Sequence, residues 1–405
     1  MVRWVGAAVL LVGLPAIAWS ESAAEAPPKR PGHYRTGRLY WTLALELREA
    51  GLDTNVYYQE TGAVPDFSTT LIPSLDATLP LGSRIRLKGR GGLSMTYFAK
   101  QDSERYIDRY GALGAEVDVG PFTFFGDLDA GRYKQLVSIE VNERIEYQQD
   151  GKDVGVKVDV TRRLSAAYSR SERTYLYEPG FYAGGVEIRD SLDRTETVDD
   201  LEVKFSITSR TAFVSRVDLI EDRFLRAPEE SSVAESRRYL AGFNFGQKAL
   251  FKGHLLAGKR EYPTTGSGPV PPYSGLAFTG KIEIPIGAYM QLGLLADRDT
   301  QYSVLRPATP EEQARNLYVL TSYRAEVKRA LREDLLGQLY GGFENADYVG
   351  VTLSDRLWHA GASLSKRFSR SLQLGTYVTW NRRDSQQPGS SYTRVRLGVN
   401  GVFNP

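Results

Sequence analysis

From Leu39 to Phe403 the chain repeats one pattern: apolar and polar side chains alternate residue by residue, in segments divided by turn signals. In Arg84–Tyr97, Arg84, Arg86, Lys88, Arg90, Ser94 and Thr96 share one parity, and Ile85, Leu87, Leu93, Met95 and Tyr97 the other. Side chains of an extended strand switch faces with period two, so the segment predicts a strand with one basic and one apolar face. It is longer than the five or six residues usual in soluble sheets. A tilted strand crosses a bilayer in roughly 9–11 residues, so this one is long enough to span.

Eighteen such segments are predicted. They are 39–48, 68–78, 84–98, 109–119, 122–131, 143–161, 166–176, 194–207, 211–224, 236–246, 251–262, 275–286, 290–299, 316–329, 336–345, 357–368, 372–381 and 391–403. The parity persists along the series. Val154, Val156 and Val158 oppose Lys157 and Asp159; Val203 and Phe205 oppose Glu202 and Lys204; Ile282 and Ile284 oppose Lys281 and Glu283. Val319, Tyr323, Ala325 and Val327 oppose Arg324 and Glu326, and Val395, Leu397 and Val399 oppose Arg394 and Arg396. One strand of this kind is ordinary in a β-sandwich; eighteen long ones predict a transmembrane antiparallel up-and-down β-barrel with apolar side chains toward lipid. The polar parity then lines a lumen, and eighteen strands leave that lumen open to water. Expected lumen residues are Arg84, Arg86, Lys88, Arg90, Asp159, Glu202, Lys204, Lys281, Glu283, Arg324, Glu326, Arg394 and Arg396.

Connections alternate in length. Short ones include Pro80–Ser83, Gly120-Pro121, Arg162–Ser165 and Ser369–Ser371; long ones include Glu49–Phe67, Tyr177–Asp193, Arg226–Glu235, Pro263–Ser274 and Ser303–Ala314. Barrels of the outer membrane carry short periplasmic turns and long extracellular loops, and an even strand count leaves both termini periplasmic. The chain opens Met1-Val-Arg3-Trp, runs apolar from Val5 to Ala18 and reaches Ala18-Trp-Ser20, the layout of a cleaved secretory signal peptide. The predicted organisation is a signal peptide over 1–20, a disordered periplasmic lead over 21–37 and one barrel domain over 38–405. Localisation follows as the outer membrane of a Gram-negative bacterium, with outer-membrane lipid and the barrel assembly machinery as partners.

Composition narrows the chemistry. Loss of Arg3 with the leader leaves 50 basic against 49 acidic residues, a balance that gives no reason to invoke nucleic acid. The chain has no Cys, which excludes disulfides, thiol nucleophiles and thiolate metal sites. His33, His254 and His359 stand apart without a nucleophile or acid pattern around them, so neither catalysis nor a cofactor is expected. Asp297-Arg-Asp299 reads as an ion cluster near the extracellular rim. Glu229-Glu230 and Glu311-Glu312 read as loop charges, and Gly184-Gly185 as a bend. Most of the 24 tyrosines are expected in aromatic girdles at the membrane interfaces.

Several segments resemble a known family. Gly51-Leu-Asp53-Thr-Asn55-Val-Tyr57, Pro73-Ser-Leu-Asp76, the run from Leu81 to Arg105 and Ser191-Leu-Asp-Arg-Thr-Glu-Thr197 are similar to motifs of bacterial outer-membrane barrels linked to exopolysaccharide gene clusters. The best-described relatives belong to myxobacterial Wzx/Wzy-dependent secretion. The resemblance implies export of a secreted or capsular polysaccharide as the transported substrate, acting with a periplasmic polysaccharide-export protein. A general diffusion porin for small solutes remains the alternative reading of the same strands. The end of the chain, Arg396-Leu-Gly398-Val-Asn-Gly-Val-Phe403, resembles a barrel assembly signal carried by Gly398 and Phe403. It departs from that signal at Gly401 and by the added Asn404-Pro405.

Overall fold

The computed structural model describes residues 34–183, 186–226, 233–246, 249–263, 270–304, 317–350 and 352–405. The expected signal peptide, His33, Gly184-Gly185, Glu229-Glu230 and Glu311-Glu312 lie outside the described residues, as do residues 21–33 of the lead.

A short strand β1 (Tyr34–Thr36) leads into β2 (Leu39–Asp53), β3 (Asp66–Leu81), β4 (Ile85–Phe98), β5 (Tyr106–Val119) and β6 (Phe122–Gln135). There follow β7 (Ile145–Asp159), β8 (Leu164–Tyr177), the two-residue strands β9 (Tyr182–Ala183) and β10 (Val186–Glu187), and one helical turn, α1 (Ile188–Leu192). The chain continues through β11 (Arg194–Ser206), β12 (Thr211–Phe224), β13 (Val233–Phe245), β14 (Lys252–Tyr262), β15 (Tyr273–Ile286) and β16 (Met290–Tyr302). It ends with β17 (Leu317–Arg332), β18 (Leu335–Tyr348), β19 (Ser354–Arg367), β20 (Leu372–Ser385) and β21 (Tyr392–Phe403).

Strands β2 to β8 and β11 to β21 are the eighteen expected segments, one for one, and each pairs antiparallel with the next. The sheet closes because β2 pairs with β3 on one side and β21 on the other. Most strands run several residues beyond the predicted bounds, as in β3, whose Asp66–Leu81 replaces an expected 68–78. The lead also differs from expectation: its last residues pair back on β2 through a turn at Gly37 (φ 63°), with Tyr34 stacked on Trp41 at 4.5 Å. A left-handed glycine and an aromatic pair suffice to order them.

Leu87, Leu93, Leu113, Leu128, Val154, Leu201, Leu339 and Leu397 are exposed on the outside of the wall, where lipid replaces water. The closure seam is irregular. β2 bulges between Leu47 and Ala50 against β21, Glu49 adopts φ 57°, and Gly51 meets Gly398 across the seam. A side chain on Gly398 would run into the Ala50 carbonyl oxygen and the Gly51 backbone, so the two glycines permit this approach.

Candidate functional site

The alternation decides what faces inward, and ion pairs decide how much of it is free. Arg86 lies 2.9 Å from Glu116 and 3.5 Å from Asp118, and Lys88 pairs with Glu116. Arg90 is exposed and stands opposite Asp76 in register. Arg84 is not a strand residue: it sits exposed in the β3–β4 turn, because Gly82 (φ 79°) and Ser83 break the alternation before Ile85. Asp159 is the exposed last residue of β7, 3.4 Å from Lys157. Glu202 stands opposite Arg216, Lys204 opposite Ser165, Lys281 opposite His254 and Glu283 opposite Lys252. Arg324 and Lys328 both pair with Glu326, at 3.3 and 2.5 Å. Arg394 and Arg396 are buried rather than open to the lumen: Arg394 clasps Asp53 and donates to the Tyr58 hydroxyl at 2.6 Å, and Arg396 pairs with Glu49. They fasten the first loop and the seam bulge.

A second charged set gathers toward the extracellular half. Arg216 and Arg238 share Asp218 at 2.9 and 2.6 Å, and Arg238 and Arg260 share Asp299 at 2.6 and 2.8 Å. Arg194 lies 3.1 Å from Asp222, which also accepts the Tyr302 hydroxyl at 2.7 Å. The four arginines, Asp222, Asp299 and Tyr302 line a chamber of about 200 Å³ together with Tyr147, Tyr175, Tyr177 and Tyr318. The predicted ion cluster at Asp297–Asp299 is part of it, through Asp297 and Asp299.

The roof of that chamber is a loop that the sequence reading missed. Residues 136–144, between β6 and β7, fold into the barrel and reach the opposite wall. Ile139 packs against Tyr318, Leu320, Ala346 and Tyr348 of β17 and β18. Asn142 accepts from Arg383 Nη1 of β20 at 2.6 Å and donates to the Ser390 carbonyl at 3.1 Å. Arg144 donates to the Val56 carbonyl at 3.2 Å, to the Tyr58 hydroxyl at 3.3 Å and to Glu104 at 2.5 Å. Glu140 accepts from the Ser303 and Ser138 hydroxyls and from Val304 N–H at 2.8 Å. Val137 and Val141 meet Ile145, Tyr147, Ile188, Leu192 and Val304 in a small apolar core set inside the mouth.

The signal for this loop lies in its parity. Outward residues of β6 are even-numbered, such as Phe122, Phe124 and Leu128, whereas Val137, Ile139 and Val141 are odd. An apolar triplet out of phase with the lipid face belongs inside. The tyrosines divide by the same parity. Tyr97, Tyr168, Tyr239 and Tyr323 do face outward, but Tyr58, Tyr147, Tyr262, Tyr318, Tyr348 and Tyr392 are buried within the mouth. Their rings fill the space between wall and loop while their hydroxyls find partners there, a task that neither Phe nor Leu performs. Segments that carry the family resemblance also converge on this place: Asp53, Asn55, Val56, Glu104, Leu192, Asp193 and Arg194 all anchor the loops at the mouth.

A closed wall of eighteen antiparallel strands, apolar outside and charged within, narrowed by an inward loop, defines an outer-membrane β-barrel channel of the porin type. The family described as "Putative beta-barrel porin 2" matches residues 129–403, and the chain belongs to it. No curated protein matches the sequence. Among solved structures, the chain is similar to a BenF-like porin from Pseudomonas fluorescens Pf-5 at 9% identity, with a TM-score of 0.51 and coverage of 91% of this chain and 99% of that one. It is also similar to the outer membrane protein opdK from Pseudomonas aeruginosa, at 12% identity, TM-score 0.49 and coverage of 90% and 99%. A third is a bacterial polysaccharide outer membrane secretin, at 10% identity, TM-score 0.38 and coverage of 90% and 98%. At 9% identity the likeness to the BenF-like porin speaks for the fold alone.

Proposed function

We propose that the protein is a diffusion channel for small polar solutes whose conductance is set by the loop at 136–144. The observation that carries this reading is the docking of that loop across the lumen, from Arg144 at the first loop to Asn142 at Arg383. Rings and rows of charge tune which solutes pass. On this reading Arg90, Lys204, Lys281 and Glu283 act on passing solutes, while Arg86, Lys88, Arg324, Glu326, Arg394 and Arg396 act through their ion pairs. Purified protein in planar bilayers tests it. Discrete conductance steps that grow severalfold when residues 137–143 are replaced by a short Gly/Ser linker support the reading. Equal conductance with and without the loop sinks it.

Polysaccharide export is the second reading, supported by the family resemblance at Gly51–Tyr57 and Ser191–Thr197. Those segments anchor the loops at the mouth, so a glycan chain would pass only after the loop undocks, with a periplasmic polysaccharide-export protein as the natural trigger from below. A strain lacking the protein separates the two. Loss of surface polysaccharide with unchanged solute uptake favours export; the reverse favours the diffusion channel.

A further inference from the structure

The outside of the barrel holds a feature that transport does not use. On the wall of β2 to β7 one register row reads Leu43, Leu75, Gly91, Gly111, Ala130 and Asp150. Three small residues side by side dent the wall between bulkier neighbours. Leu113 and Leu128 stand out below the dent, and Leu93, Arg109 and Arg132 border it above. The resulting groove is about 650 Å³ and opens toward the membrane.

Arg109 is the anomaly. It lies on the outward face of β5, flanked by exposed Ile107 and by Leu93. Among the described residues it makes no hydrogen bond or ion pair. Its cross-strand neighbour is another cation, Arg132, which is already satisfied by Glu146 and by Glu178 at 2.7 Å. Like charges directly opposite on a sheet repel. Asp150, at the far end of the groove, accepts from Gln148 at 2.6 Å. A charged side chain on the lipid face is destabilising by an amount that grows with depth, so an uncompensated arginine there calls for an anion from the membrane. Height identifies which part of the membrane. Arg109 is ten residues from Val119 at the periplasmic end of its strand, and a tilted strand crosses the apolar layer in roughly 9–11. The guanidinium therefore stands at the outer-leaflet headgroup level, with an apolar trough directly beneath it.

We propose that this groove binds a phosphorylated glycolipid of the outer leaflet, its phosphate on Arg109 and an acyl chain laid over Gly91, Gly111 and Ala130. Guanidinium matches a phosphate through parallel N–H donors, and small residues let the chain lie against the backbone. The site rests on the barrel's placement in the outer membrane and is independent of what the lumen carries.

The test uses the full mature chain in a neutral detergent, with its melting midpoint followed while bisphosphorylated lipid A is titrated into the micelles. Binding to the folded state alone raises the midpoint with ligand concentration. Arg109→Gln is expected to weaken the apparent affinity at least about tenfold, the loss of a charge-assisted hydrogen bond, whereas Arg109→Lys retains most of it. Gly111→Leu fills the trough and leaves Arg109 in place. A Cβ there comes no nearer than 4.0 Å to other atoms, the closest being the Arg90 carbonyl oxygen, so the barrel tolerates it while lipid binding falls. The proposal is overturned if both Arg109→Gln and Gly111→Leu keep the full shift. It is equally overturned if dephosphorylated lipid A works as well as the phosphorylated form, or if inorganic phosphate alone reproduces the shift.

Discussion

Asn142 and Arg383 show how little holds the loop. Arg383 is 1% exposed and divides itself between Asp355, at 2.9 Å, and the side-chain oxygen of Asn142. Removing it strands a buried carboxylate, so Arg383→Ala is expected to destabilise the barrel by about 3–5 kcal/mol, read as a lower urea midpoint in micelles. Asn142→Ala spares the wall and removes two hydrogen bonds worth about 0.5–1.5 kcal/mol each, which predicts a roughly tenfold rise in open probability in single-channel records. Glu140 adds a pH response. Burial raises its pKa above 4.5, although Ser303, Val304, Tyr348 and Ser138 pull the other way. The docked loop thus holds a proton more readily than the freed one. Docking is strongest below 4.5 and weakens as pH rises through the raised value, so conductance should climb with pH. Glu140→Gln should flatten that profile; an unchanged slope would remove Glu140 as its source.

At the scale of the element, the loop is close to balance. Burying Val137, Ile139 and Val141 is worth roughly 5–9 kcal/mol at about 1.5–3 each. Fixing nine residues of backbone costs about 9–18 kcal/mol at 1–2 each. The polar contacts of Glu140, Asn142 and Arg144, roughly eight in number at about 1–2 kcal/mol apiece, cover the difference and little more. An element so poised can dock and undock. Replacing residues 137–143 by a Gly/Ser linker should therefore raise conductance severalfold while leaving the heat-resistant barrel band on a gel intact. The eighteen strands were legible because period two survives wherever one face meets lipid, as at Val154–Val158 and Val395–Val399. The loop was not, since Val137, Ile139 and Val141 fall between two predicted segments and point inward only when their parity is compared with Phe124 and Leu128. Arg394 and Arg396 are expected from parity to face inward, but their burial is not legible in the sequence, because their partners Asp53, Tyr58 and Glu49 lie more than 300 positions away.

For the whole molecule, the wall is a cylinder without edges, and its charge is mostly spent internally. Arg86, Lys88, Arg216, Arg238 and Arg260 each have a carboxylate partner, so neutralising Arg90 alone should alter ion selectivity more than neutralising Arg86 and Lys88 together. Reversal potentials in a salt gradient measure this, and equal shifts would show that the pairs, too, are open to passing ions. The seam makes a harsher demand. Gly398→Val should abolish the mature barrel, because its side chain meets the Ala50 carbonyl and the Gly51 backbone, whereas Phe403→Ser, at an exposed outward position, should slow insertion and leave inserted barrels normal.

That seam also sets a clock. The residues that close it, Glu49 and Gly51 on one side and Arg396 and Gly398 on the other, stand near opposite ends of the polypeptide. Neither the unusual backbone of Glu49 nor its carboxylate is compensated until the last strand, with Arg396, has arrived. A wall still lacking β21 therefore carries two sticky borders and an unpaired Glu49 carboxylate, and becomes self-sufficient only when that strand is in place. Completion is in this way a physical event: the closing strand ends the chain's dependence on escorts at the moment the wall becomes continuous.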